Sequence, residues 1–316
     1  MAYKLFEKTQ IASYTDISAL MCVIDDEGPD DQFWKYSLYG NLCWEKNTAT
    51  LYHCGKYDHF SYKEYENENR IILEKLPQST GDGVIKSYLD NGFYILLPIN
   101  TKTLGYTEIE FKHNVFITGY DEDKFIVFDY WTPGFTWRYE SLEYERIMSS
   151  IDFSNPETVQ MIYAFRKNTD MPQKEHEIAI SDVTELYSKQ WSDNPQYDCS
   201  MNIYGTDVYA AMAERIKETD KLRLIDCQNF HVLWDHLQFT KNTYQRLFAT
   251  LDITAELMSK LDEMIFKANA IRNTAYKYYV AGRCIDRKRD FFVEELNELF
   301  VQEKSLREKI TEVAGG

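Results

Sequence analysis

The feature that most constrains this chain is a change of hydrophobic period near residue 168. Before it, short apolar runs alternate with turns, as strands do. After it, apolar residues recur at three- and four-residue spacing, as on helices. In the first half, Phe93–Ile99 is a nearly continuous apolar run ending in Pro98-Ile99-Asn100, and reads as a buried strand. Val115–Thr118 and Phe125–Asp129 flank Gly119-Tyr120-Asp121-Glu122-Asp123 and read as the arms of a hairpin. Thr136–Tyr139 and Val159–Phe165 are two further strands, and helices are expected over 13–26, 31–42, 82–90 and 141–150.

The second half opens after the polar connector Arg166–Pro172. Ile178, Ile180, Val183, Leu186 and Tyr187 begin one amphipathic stretch, and Val208, Ala211, Met212 and Ile216 mark a second. Three long helices follow over 227–250, 254–281 and 285–312. The last carries Phe291, Phe292, Leu296, Leu299, Phe300 and Leu306 on one side. The fold class expected is therefore α+β, with an antiparallel sheet domain at 1–168 and an α-helical bundle at 169–316.

Two domains suit the 316 residues. A net charge of −16, from 35 Lys+Arg against 51 Asp+Glu, repels a polyphosphate partner and excludes the nucleic-acid-binding classes. No apolar run reaches the ~18–20 residues that span a bilayer, and Met1–Asp16 holds no apolar signal region. Cysteines 22, 43, 54, 199, 227 and 284 follow no repeating spacing, which fits reduced thiols better than a disulfide framework. A soluble cytoplasmic protein is expected.

The segment Lys112–Tyr130 carries the most chemistry. It puts His113 at the start of one hairpin arm and Asp129 at the end of the other, and those ends are neighbours in an antiparallel pair. A carboxylate on one imidazole nitrogen fixes the tautomer and leaves the other to act as a base. A strand-end histidine beside a solvated acid is the plainer reading of the same pattern.

This stretch, with its His…Gly-Tyr-Asp…Asp order, resembles papain-fold proteins, nearest to the bacteriocin-processing peptidases and the butirosin-acyltransferase type. Ile85–Gly92 followed by Phe93–Ile99 is similar to the helix, glycine and buried strand that precede the family's histidine. The resemblance covers about residues 10–165, with looser similarity in the helical half. It implies a papain-like domain and a Cys(Ser)-His-Asp type triad in which His113 shuttles the proton and Asp129 orients it. It also implies a carrier protein bearing a phosphopantetheine thioester and an amine or amino-acyl acceptor. The products would be amides, as in secondary metabolism.

The family places a cysteine at the N-terminus of its first long helix, where the helix dipole favours the thiolate. Here that helix opens with Ser13-Tyr14-Thr15-Asp16 and has no cysteine at its start. Ser13 stands at the nucleophile position, as a native serine or as a replacement for cysteine, although Ser-x-x-Asp also fits a capping box. Cys22 is the nearest thiol, inside the helix, and reads as a core residue. Loss of the nucleophile is a third reading. Gln10 matches the family's oxyanion donor, at a shorter spacing from Ser13 than the family's. Besides the acyltransferase, two alternatives stay open: a non-catalytic carrier-binding module and a peptidase or amidase.

Other clusters read more plainly. Leu51-Tyr52-His53-Cys54, with Asp58 and His59, matches no zinc spacing and reads as a surface loop. His231 and His236 flank Trp234 and read as packing residues; Asp226 and Asp235 read as caps or solvated charges. Arg283, Arg287, Lys288 and Arg289 form a basic turn, solvated or able to dock an acidic carrier.

Overall fold

The structure, a computed structural model, describes residues 15–24, 40–54, 71–77, 80–106, 110, 112–129, 137–155, 158, 162–170, 201–248 and 254–315. It is a mixed fold of antiparallel sheets with helices at the C-terminal end of the chain. The chain forms two compact units, Met1–Asp25 with Ser61–Gln173, and Asp26–Phe60 with Lys174–Gly316.

The first unit contains helix α1 (Thr15–Ile24) and, after the excursion into the second unit, a six-stranded sheet. The excursion supplies β1 (Asn41–Glu45) and β2 (Thr50–Cys54). The sheet comprises β3 (Ile71–Lys75), β4 (Tyr94–Asn100), β5 (Lys112–Asp121), β6 (Lys124–Asp129), β7 (Arg138–Glu143) and β8 (Tyr163–Lys167). Its spatial order is β3-β8-β4-β5-β6-β7, and every pairing is antiparallel. Helices α2 (Asp82–Asp90) and α3 (Tyr144–Ser149) contribute Ile85 and Ile147 to the core that Ile95, Leu97, Ile99, Val115, Ile117 and Val127 build on one sheet face. Tyr94, Leu96, Phe116 and Phe165 alternate to the other face, where Phe116 and Phe165 stack at 5.9 Å. α1 packs against β5 and β8.

β4 is apolar on both faces because it lies inside the sheet. Pro98 is tolerated there because β8 pairs only with Tyr94–Leu96, so on that side a missing N–H leaves no ladder bond unmade. The β5–β6 hairpin turns at Glu122-Asp123, with Glu122 at φ 44°. Its register shifts between Ile117 and Gly119, a bulge at Thr118. Straight pairing from the turn would set Phe116 opposite Asp129. With the bulge, Phe116 pairs with Phe128, and Asp129 falls on the face of Val115 and His113.

The second unit builds β1 and β2 into a hairpin and adds β9 (Asn202–Tyr204) in the order β2-β1-β9. Then come α4 (Val208–Lys217), α5 (Leu224–Leu247), α6 (Thr254–Val280) and α7 (Arg289–Gly315). The last three match the expected long helices to within a few residues. Asn229 of α5 fastens the hairpin, accepting the Leu51 N–H at 2.9 Å and donating to the Ala49 carbonyl at 2.8 Å.

Several expectations change. The division at residue 168 omitted the excursion of Asp26–Phe60, which belongs with the helical part because β1 pairs with β9 some 160 residues later. Leu51–Cys54 is not a surface loop but strand β2, with Leu51, His53 and Cys54 buried. The helix expected over 31–42 gives way to strand from Asn41, and 31–39 lie outside the described residues. The helix expected from 141 begins at Tyr144, because β7 stays paired to β6 as far as Glu143. β8 is centred three residues later than expected, and the stretch at 178–187 lies outside the described residues. Asp235 is buried rather than solvated. Among the described residues no helix is long and apolar enough to cross a membrane.

Candidate active site

At the end of the β5–β6 hairpin, His113 sits beside Ile99 of β4, and Asp129 lies opposite Arg138 of β7. The two are diagonal neighbours on one sheet face, a spacing long side chains bridge. His113 Nε2 lies 2.8 Å from one Asp129 oxygen and 3.1 Å from the other. Their side chains are 11% and 6% exposed, so the pair is largely shielded from water. With Nε2 turned to the carboxylate as donor, Nδ1 is the ring's other site for a proton. This is the juxtaposition the hairpin pattern predicted.

Three residues unremarked in the sequence flank the pair. The Tyr106 hydroxyl donates to Glu140 Oε2 at 3.0 Å, and Arg138 forms an ion pair with the same carboxyl group. Burial, then the carboxylates of Asp129 and Glu140, push the Tyr106 phenol well above its ordinary range, so it stays protonated as a donor. Arg138, Glu140 and Asp129 share a face because β6 and β7 pair Asp129 with Arg138 and Val127 with Glu140. The only sequence signal was two adjacent strand patterns whose register could have been counted across the intervening loop.

Tyr106 is delivered by a tight loop. Asn100 Oδ1 accepts the N–H groups of Lys102 and Thr103, and the Tyr106 N–H donates to the Thr101 carbonyl at 2.8 Å. Gly105 adopts φ +76°, and a Cβ there would lie 3.0 Å from Arg146, whose guanidinium binds the Leu104 carbonyl. A side chain at 105 would thus disturb both the turn and its anchor.

Of the other predicted site residues, Cys22 lies buried in α1, about two turns past its first residue. Ser13 and Gln10 fall outside the described residues. Cys22, Cys43, Cys54, Cys227 and Cys284 carry thiols rather than disulfides. Among the described residues no three His, Cys, Asp or Glu side chains are arranged to hold a metal ion. In the basic turn, Arg283, Arg287 and Lys288 are exposed, while Arg289 binds the Thr219 carbonyl and Asp286. Compared with known proteins, the chain matches no family model and no curated protein.

Proposed function

We propose that the chain is an amide-forming acyltransferase that takes an acyl group from a carrier-protein thioester, works in the cytoplasm and serves natural-product biosynthesis. The observation that carries this reading is the His113–Asp129 pair: a shielded imidazole held by a carboxylate through Nε2. The resemblance of Lys112–Tyr130 to papain-fold acyltransferases supplies the reaction class.

In this reading Nδ1 of His113 removes the proton from the Ser13 hydroxyl as its oxygen attacks the thioester carbonyl. The tetrahedral oxyanion is met by Gln10. Collapse breaks the C–S bond, and the phosphopantetheine thiolate leaves with the proton from His113. An amine then attacks the seryl ester, His113 takes its proton, and the alkoxide of Ser13 departs with that proton, giving the amide. Asp129 stabilises the imidazolium at both stages. An acidic carrier would be drawn to exposed Arg283, Arg287 and Lys288, cations on an otherwise acidic chain.

The test is intact-protein mass spectrometry after incubation with an acyl-loaded carrier. An adduct of the acyl mass on the peptide containing Ser13, lost in His113→Ala, supports the reading. Ser13→Cys should raise turnover, and Cys22→Ala should leave it unchanged. Carrier binding without an adduct would favour a non-catalytic module, and cleavage of amides without transfer would favour a peptidase or amidase.

A further inference from the structure

The second unit buries a knot of three histidines: His53 on β2, 5% exposed, and His231 and His236 on α5, 3% and 1% exposed. The His53 and His236 rings lie 6.1 Å apart, tilted by 43°. His236 Nε2 stands 3.5 Å from Glu303 of α7, which also receives Arg307 Nε at 3.0 Å and the Tyr209 hydroxyl of α4 at 2.5 Å. His231 Nδ1 accepts from Arg272 of α6 at 3.4 Å, and its Nε2 lies 3.7 Å from Asp235. Both carboxylates, Glu303 and Asp235, therefore have a histidine and an arginine nearby. His53 has neither. Among the described residues both of its ring nitrogens lack a hydrogen-bond partner, and its strand face is otherwise apolar, with Leu42 opposite and Trp44 and Leu51 alongside.

We propose that His53 is a proton-triggered latch: neutral, it lets β2 pack on α5, and protonated, it releases the β1–β2 hairpin from that helix. An imidazolium at this place would meet two other imidazoles and, among the described residues, no uncommitted counter-charge, whereas in water it is fully solvated. Burial, then His236 and His231, accordingly hold the His53 pKa well below its ordinary value. The sign follows from linkage. Once the hairpin is released, His53 regains a pKa of about 6.5. Below that pH the open state binds a proton that the closed state refuses, so the closed state loses ground as pH falls. Glu303 keeps its partners in this window, because its carboxyl is held well below the usual carboxylate range.

The test compares the full chain with His53→Phe, which keeps a ring and removes the titration. Unfolding by denaturant is followed from pH 7.5 to 5, with exchange of the Leu51 amide, corrected for intrinsic pH dependence, reporting on the hairpin. For the wild type, His53 should add about a tenfold rise in the opening constant per pH unit below about 6.5. His53→Phe should lose that increment. Parallel pH profiles for the two proteins would overturn the proposal. Should His53→Phe not fold, nuclear magnetic resonance titration of the His53 ring in the wild type decides. A ring still neutral at pH 6 in the folded protein supports the latch, and a midpoint near 6.5 overturns it.

Discussion

His113 in the first unit and His53 in the second are both strand residues with shielded rings, yet their surroundings differ in one respect. His113 has the Asp129 carboxylate at 2.8 Å, and among the described residues His53 has no hydrogen-bond partner for either nitrogen. A carboxylate stabilises the imidazolium and suits a ring to carry a proton in passing. A dry site without counter-charge stabilises the neutral ring and makes a proton disruptive. Residue type and burial alone do not distinguish the two. The partner does, and in each unit it is set by strand register: Asp129 shares the face of His113, while Leu42 stands opposite His53.

That contrast breaks most readily at His113. His113→Ala should lower acyl transfer from a loaded carrier by about 10³-fold, within the range for loss of a general acid–base group. Unchanged circular dichroism would show that the fold survives. Persisting transfer would reduce the His113–Asp129 pair to a structural ion pair.

Next in size is the helical knot. Glu303→Ala leaves Arg307, His236 and Tyr209 without their shared acceptor and should cost about 3–5 kcal/mol in denaturant unfolding, as loss of one partner from a buried ion pair does. Burial alone would raise the Glu303 pKa. Arg307, then His236 and Tyr209, outweigh it and hold the carboxyl well below the usual carboxylate range. Its stabilising contribution is therefore complete above a pH of about 4.3 and is lost as the medium becomes more acidic. A second acid transition below that of His53 should vanish in the variant.

Asn229→Ala removes both bonds that fasten the β1–β2 hairpin to α5, one of them to the buried Leu51 amide. A loss of about 1–3 kcal/mol is expected, with faster Leu51 amide exchange at every pH. The smallest effect concerns Glu140→Gln, which removes the ion pair with Arg138 and weakens the acceptor of the Tyr106 hydroxyl. A loss of about 0.5–1 kcal/mol in denaturant unfolding is expected, and an unchanged midpoint would show that the Tyr106 loop is held without Glu140.

Much of the architecture followed from local pattern. The apolar run at Phe93–Ile99, the paired runs about residues 119–123 and the helical spacing from residue 227 became β4, the β5–β6 hairpin and α5 to α7. Each is legible because its hydrophobic period lies within a window of ten to twenty-five residues. His113 and Asp129 were legible because a hairpin turns sequence distance into proximity.

What the sequence determined by itself was thus the type of each long element and the one pair of side chains that a short turn brings together. The tertiary structure alone decided three things. The bulge at Thr118 fixed which face Asp129 takes, because period-2 alternation cannot show where one residue is absorbed. Pairing of Trp44 with Ile203 carried residues 26–60 into the second unit, because contacts across so much intervening chain leave no local period to read. The histidine knot arose from residues on strand β2 and the distant helix α5. A lone histidine in sequence says nothing of its partner, and the partner decides whether its ring welcomes a proton or excludes it.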